Sequence, residues 1–172
     1  MNLLVIGDPH AHPDYDNSRF TKLGKFIAKE KPQVIVCIGD MADMPSLSSY
    51  DRGTKGFEGR RYRRDVRAVI DAQEKLFDPI YKVKGYKPKL HMCLGNHEDR
   101  ITRAVNSSPE LEGALSIDDL GYKSFGWKVT PFKKCLTIKG IMFSHYFTSG
   151  TLGRAISSVH LGHAMVTKLH CS

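Results

Sequence analysis

Three apolar runs in this chain stop in the same way. "NLLVIGD" (2–8), "QVIVCIGD" (33–40) and "KLHMCLGN" (89–96) each finish on a glycine followed by an acid or an amide. Continuous runs of this length suit strands buried on both faces, as in a parallel sheet. Between the first two, Phe20, Leu23 and Ile27 recur at helical spacing up to Pro32, and Ser18 is placed to cap the helix N-terminus. The unit reads as β-α-β, with parallel strands and a right-handed crossover.

Residues 41–59 are irregular, broken by Pro45, Gly53, Gly56 and Gly59. A helix is expected over Arg60–Phe77, with Val66, Val69, Ile70, Gln73, Leu76 and Phe77 on one face. Residues 100–125 read as short helical turns, with Pro109 at a helix start. "WKVTPF", "CLTIKG" and "IMFSH" read as three short strands turning at Pro131 and Gly140, and a last helix is expected over Leu152–His170. A length of 172 residues suits one core and one domain, 1–172. Cys37, Cys93 and Cys135 sit in apolar runs and Cys171 at the end, with no CxxC pair, which reads as reduced thiols. No basic segment precedes the first apolar run, and no run approaches the roughly 20 residues of a membrane span. A soluble, cytoplasmic protein is the expectation.

Four strand ends carry polar groups: Asp8 and His10, Asp40 and Asp43, Asn96 and His97, and finally His145. Ligands of open α/β sheets bind beyond the carboxyl ends of the strands. A set of carboxylate, imidazole and amide suits borderline to hard divalent ions, and the lack of thiolates argues against a structural zinc. Two such ions about 3.5–4 Å apart form the clamp used in phosphoryl chemistry.

In order and spacing, "GDPH", "GDMAD", "GNHE" and His145 resemble the calcineurin-like metallophosphoesterase family. The resemblance implies an α/β fold of two facing mixed β-sheets flanked by helices, an αββα sandwich. It implies two divalent ions, with Mn the first choice and Fe, Zn, Co or Ni alternatives. Asp8 and His10 would hold the first, Asn96 and His145 the second, and Asp40 would bridge them. A hydroxide between the ions would attack the phosphate, with His97 as general acid oriented by Asp43. The family's closing Gly-His-x-His is missing: in "LGHAM", His163 matches its first histidine but Met165 replaces the second. His163 lies between Val159 and Val166 on a helical stripe, which reads as packing. The chain is therefore expected to be shortened at its C-terminus, with the second ion the weaker.

Lysine and arginine number 26 against 18 acids, a formal charge of +8 that favours polyanionic partners. "RGTKGFEGRRYRRDVR" (52–67) concentrates seven of these cations, with Phe57 and Tyr62 among them. Arg60, Arg61, Arg63 and Arg64 oppose the dipole of the helix they begin. They read as a phosphate-tracking wall, or else as a solvated helix start. Arg100 is a candidate phosphate contact, though a solvated arginine suits the same position, and Glu98 and Asp99 read as helix-start charges. Together these features point to a phosphoesterase acting on phosphodiesters of DNA, RNA or nucleotides. A phosphomonoesterase or protein phosphatase is the alternative. A non-catalytic scaffold of the same fold is a third reading, and His97 argues against it.

Overall fold

The computed structural model describes residues 1–149 and 154–155. Strands β1 (Leu3–Ile6), β2 (Val34–Cys37), β3 (Lys89–Cys93) and β4 (Lys128–Thr130) form one sheet in chain order. All are parallel, with Leu3 beside Val34, Val34 beside Lys89, and His91 beside Lys128. The three apolar runs become adjacent strands, so their polar ends line up at one edge. Burial on both faces holds for β2, but β1 is an edge strand and leaves Val5 44% exposed.

The period-two alternation of β2 divides the core. Ile35 and Cys37 face helices α1 (Ser18–Glu30) and α2 (Tyr62–Tyr81), packing with Ile27, Leu76, Phe77 and Met92. Val34 and Val36 join Cys93, Phe143, Leu136 and Ile138 on the opposite face. These last residues come from β5 (Leu136–Ile138) and β6 (Ile141–Phe143), an antiparallel pair. Among the described residues one of the facing sheets is parallel and the other antiparallel, with helices flanking them, as the α/β sandwich implies. Cys37 and Cys93 are buried free thiols, and burial pushes the Cys93 pKa up to about 11, away from a reactive thiolate.

Three element boundaries differ from expectation. Asn17, not Ser18, is the residue at the cap of α1, and its side chain does not cap. Instead Asn17 Nδ2 donates to the Ala68 carbonyl at 3.2 Å and to Asp71 Oδ2 at 3.1 Å, tying the preceding loop to α2. Helix α2 starts at Tyr62 and continues through Pro79, because Leu76, Phe77 and Ile80 stay buried against the sheet. Residues 154–155, expected in a helix, form β8 (Arg154–Ala155), antiparallel to β7 (Thr148–Ser149). The rest of that helix and His163 lie outside the described residues. Among the described residues no helix is long and apolar enough to cross a membrane.

Helices α1 and α2 approach closely at Gly24, where an added Cβ would overlap the Leu76 carbonyl oxygen and lie 3.2 Å from Pro79 Cδ. Alanine would gain about 0.8–1 kcal/mol in helix propensity. Overpacking against a backbone carbonyl costs about 1–3 kcal/mol and wins. Gly24→Ala is therefore expected to lower the urea midpoint; an unchanged or raised midpoint would contradict this packing.

Candidate metal centre

The first two strand ends are laced together by their backbones. His10 N–H donates to the Asp40 carbonyl at 2.9 Å, Ala11 N–H to Met41 at 2.7 Å, and Asp43 N–H to Ala11 at 3.1 Å. Arg19 Nη2 holds the same loop through the carbonyls of Pro9 and His10, at 2.9 and 2.5 Å. Asp8, His10 and Asp40 all have positive φ, of 39°, 47° and 51°. Non-glycine residues pay about 1–3 kcal/mol each for such a backbone, and it persists where the surroundings impose it. Here it brings the ligand-type side chains of Asp8 and His10 near one point.

That point is Asp40 Oδ2. It lies 3.4 Å from His145 Nε2, 3.8 Å from His97 Nε2 and 4.0 Å from His10 Nε2. Two groups share this carboxylate: Asp8, Asp40 and His145, and His10, Asp40 and His97. His145 Nδ1 sits 3.1 Å from the Ile38 carbonyl, which fixes that nitrogen as the donor. Its Nε2 lone pair then faces Asn96 Oδ1 at 2.8 Å as well as Asp40 Oδ2. An unprotonated Nε2 converging with a carboxylate and an amide oxygen is a metal-ligand arrangement, so the residues present fit a divalent ion.

Glu98 holds the frame. It is fully buried, and its two oxygens accept four hydrogen bonds. Oε2 takes the amides of Asp40 (3.0 Å) and Gly95 (2.8 Å), while Oε1 takes the Ala42 amide and the Tyr122 hydroxyl, both at 2.9 Å. Burial raises the Glu98 pKa, with its amide and phenol donors acting against that rise. The expected role of a helix-start charge is thus corrected: the side chain joins the ends of β2 and β3. Gly95 is needed at this junction, since a Cβ there would overlap the Asp40 carboxylate.

His97 stands beside the cluster. Its amide donates to Asp40 Oδ1 at 3.0 Å, and its Nδ1 meets the Asp43 carbonyl at 2.7 Å and Asp43 Oδ1 at 2.8 Å. Burial lowers the His97 pKa, but the hydrogen bond to Asp43 and the charge of Asp40 outweigh it, and the net shift is upward. For Asp43, burial acts upward and is outweighed by His97, His10 and His12, so its pKa falls. The two shifts agree with an ion pair. His12, not singled out from the sequence, lies 3.7 Å from Asp43 Oδ2 through Nε2.

A family model for calcineurin-like phosphoesterase matches residues 1–168 of the chain. The chain belongs to that family. A search of curated proteins finds no significant match. As a calcineurin-like phosphoesterase it is a metal-dependent hydrolase of phosphate esters, and the acid and imidazole groups around Asp40 are its candidate metal ligands.

Around this phosphoesterase site the arginines take separate places. Arg100 is not a solvated helix-start residue: its side chain is 11% exposed, and Nη1 donates to the carbonyls of Asp43 (2.8 Å) and Met44 (3.2 Å). Its Nη2 is 3.2 Å from His97 Nε2. Arg60, Arg61, Arg63 and Arg64 do not form one wall. Arg60 pairs with Asp51 at 2.6 Å and Arg64 with Asp14 at 2.7 Å. Arg61 bonds the Arg60 carbonyl, and Arg63 lines a separate cavity with Tyr62, Val66 and Asp119. The acids Asp51 and Asp14 offset the conflict between these cations and the helix dipole.

Proposed function

We propose that this phosphoesterase cleaves phosphodiesters of nucleic acid or nucleotides, with His97 as general acid and Mn as the working ion. Asp8 and His10 would hold one ion and Asn96 and His145 the other, with Asp40 between them. The observation that carries this reading is the convergence on Asp40 Oδ2 of imidazoles from three different chain segments. Bound divalent ions supply charge neutralisation at the phosphoryl group and acidify water.

The chain's own residues do the rest. His97 holds its Nδ1 against Asp43, which leaves Nε2 to protonate the leaving oxygen as the phosphorus–oxygen bond breaks. Arg100 sits beside that nitrogen, and a cation 3.2 Å away disfavours a metal ligand role for His97. The guanidinium instead suits a non-bridging phosphate oxygen. The charge of +8 supports a polyanionic substrate. A higher Mn-dependent kcat/KM on bis(p-nitrophenyl) phosphate than on p-nitrophenyl phosphate is expected; the reverse order would favour the phosphomonoesterase reading.

A pH profile tests the positioning role of Asp43. A general acid must be protonated, and His97, with its pKa raised, keeps its proton above the ordinary histidine range. Activity should persist there and fall as pH rises through the raised value. Asp43→Asn removes the carboxylate that contributes to the shift, so the alkaline limb of kcat/KM should move to lower pH. An alkaline limb at the wild-type position would remove Asp43 from the account.

A further inference from the structure

A second cavity opens directly against the metal centre. It has a volume of about 320 Å³ and is walled on one side by Asn96 and Arg100. Its lining also includes Tyr50, Arg103, Phe132, Lys133 and Tyr146. Nothing in the account of catalysis above uses these five residues. The size falls at the small end of small-molecule sites, roughly 300–1,000 Å³.

The lining has two chemical halves. Phe132 and Tyr146 pack edge to face with centroids 5.5 Å apart, and Tyr146 continues onto His145 at 5.4 Å. Tyr50 is 88% exposed, a large aromatic side chain left in solvent at the rim. The cationic half is Arg100, Arg103 and Lys133, and the one acid lining the cavity among the described residues, Asp99, is already paired with Arg103 Nε at 3.3 Å. Lys133 makes no ion pair among the described residues, and its ammonium stands 5.5 Å from the Phe132 ring. Arg103 Nη2 also donates to the Asn96 carbonyl at 3.1 Å, joining this cavity to the metal centre.

We propose that this cavity is the leaving-group subsite and takes a nucleotide unit. Its base lies against Tyr50 and the Phe132–Tyr146 pair, and a second phosphate lies on Lys133 and Arg103. The placement follows from Arg100: the cavity begins at the guanidinium that touches His97 Nε2, and the group next to the general acid is the one that departs. Aromatic faces accept any base by stacking, and cations beside them track the backbone phosphate, the pairing of features found in single-strand binding sites. A small phosphomonoester or a simple alkyl leaving group would leave both halves unused. The assignment of a leaving side rests on the proposed phosphodiesterase function; the affinity for a nucleotide does not.

Two measurements separate these. The first is calorimetric binding of thymidine 3′,5′-bisphosphate to the metal-free protein, for wild type, Tyr50→Ala and Lys133→Gln. Tyr50→Ala is expected to weaken binding roughly 5- to 150-fold, the range carried by one stacked base. Lys133→Gln should weaken it and flatten its salt dependence. Lack of binding by the wild type, or equal affinity in all three proteins, would overturn the subsite. The second is kcat/KM with Mn on thymidine 3′-phosphate methyl ester and on the dinucleotide in which thymidine replaces the methyl group. Preference for the dinucleotide that shrinks in Tyr50→Ala supports a leaving-group site, and equal rates on the two substrates would overturn that placement. Binding of the bisphosphate with no hydrolysis of either ester would contradict the phosphodiesterase reading while leaving the nucleotide site in place.

Discussion

Replacing His97 by alanine is expected to lower Mn-dependent hydrolysis of an alkyl phosphodiester by roughly 10²–10⁴-fold, the usual contribution of a general acid. The ions should still bind, because the ligands assigned to them do not include this residue. The loss should depend on the leaving group. A nucleoside alkoxide needs a proton as it departs, whereas p-nitrophenolate is stable without one, so the variant should retain much more activity on the aryl ester. This contrast distinguishes proton donation from a positional role. The His97 amide also donates to Asp40 Oδ1 and its ring touches Arg100, so a general collapse of the site would reduce both substrates alike. Equal losses on the two esters would therefore count against the acid role, and full activity would remove it.

The second large effect is expected at Glu98. Glu98→Ala orphans three buried amides, those of Asp40, Ala42 and Gly95, and the Tyr122 hydroxyl. Each of these four orphaned donors costs about 1–3 kcal/mol, so a destabilisation of roughly 4 kcal/mol or more is expected. Metal affinity should fall about 10–100-fold as well, the range for residues that orient ligands from behind. Glu98→Gln provides the control. Its oxygen can still accept from Asp40 and Gly95, while its NH₂ faces the Ala42 amide and a phenol that can turn to accept. Only one backbone donor is then left unsatisfied, and a buried carboxylate is replaced by a neutral group. Urea unfolding and Mn calorimetry should rank the proteins wild type, then Gln, then Ala. Equal stability of Glu98→Ala and wild type would show that this carboxylate does not hold the strand ends.

Much of the site is legible in the sequence because parallel topology converts similar strand endings into spatial neighbours. Asp8, Asp40 and Asn96 each follow a glycine at the end of an apolar run, and the sheet order sets those runs side by side. Glu98 is different. It reads as a helix-start charge because nothing local marks it as buried, and its partners Asp40 and Ala42 are more than fifty residues away in the chain. Arg100 is hidden in the same way, since its acceptors are carbonyls of Asp43 and Met44, which any sequence would supply. The start of α1 shows the converse: Ser18 reads as the capping residue, but Asn17 takes that position and its side chain is diverted to Ala68 and Asp71 on a neighbouring helix. The basic segment read as one surface, but Asp51 and Asp14 draw Arg60 and Arg64 apart. Charge composition carries no information on such pairings.

We propose that Asp40 joins two metal sites. The direct measurement is the number and affinity of Mn ions bound at equilibrium by the wild type and by Asp40→Asn, followed by calorimetry with electron paramagnetic resonance of the free ion. Asparagine keeps the shape of the side chain but removes the charge and one ligand oxygen on which His10, His97 and His145 converge. The account predicts two ions on the wild type and weakened binding of both in the variant. Unchanged stoichiometry and affinity in Asp40→Asn would contradict it.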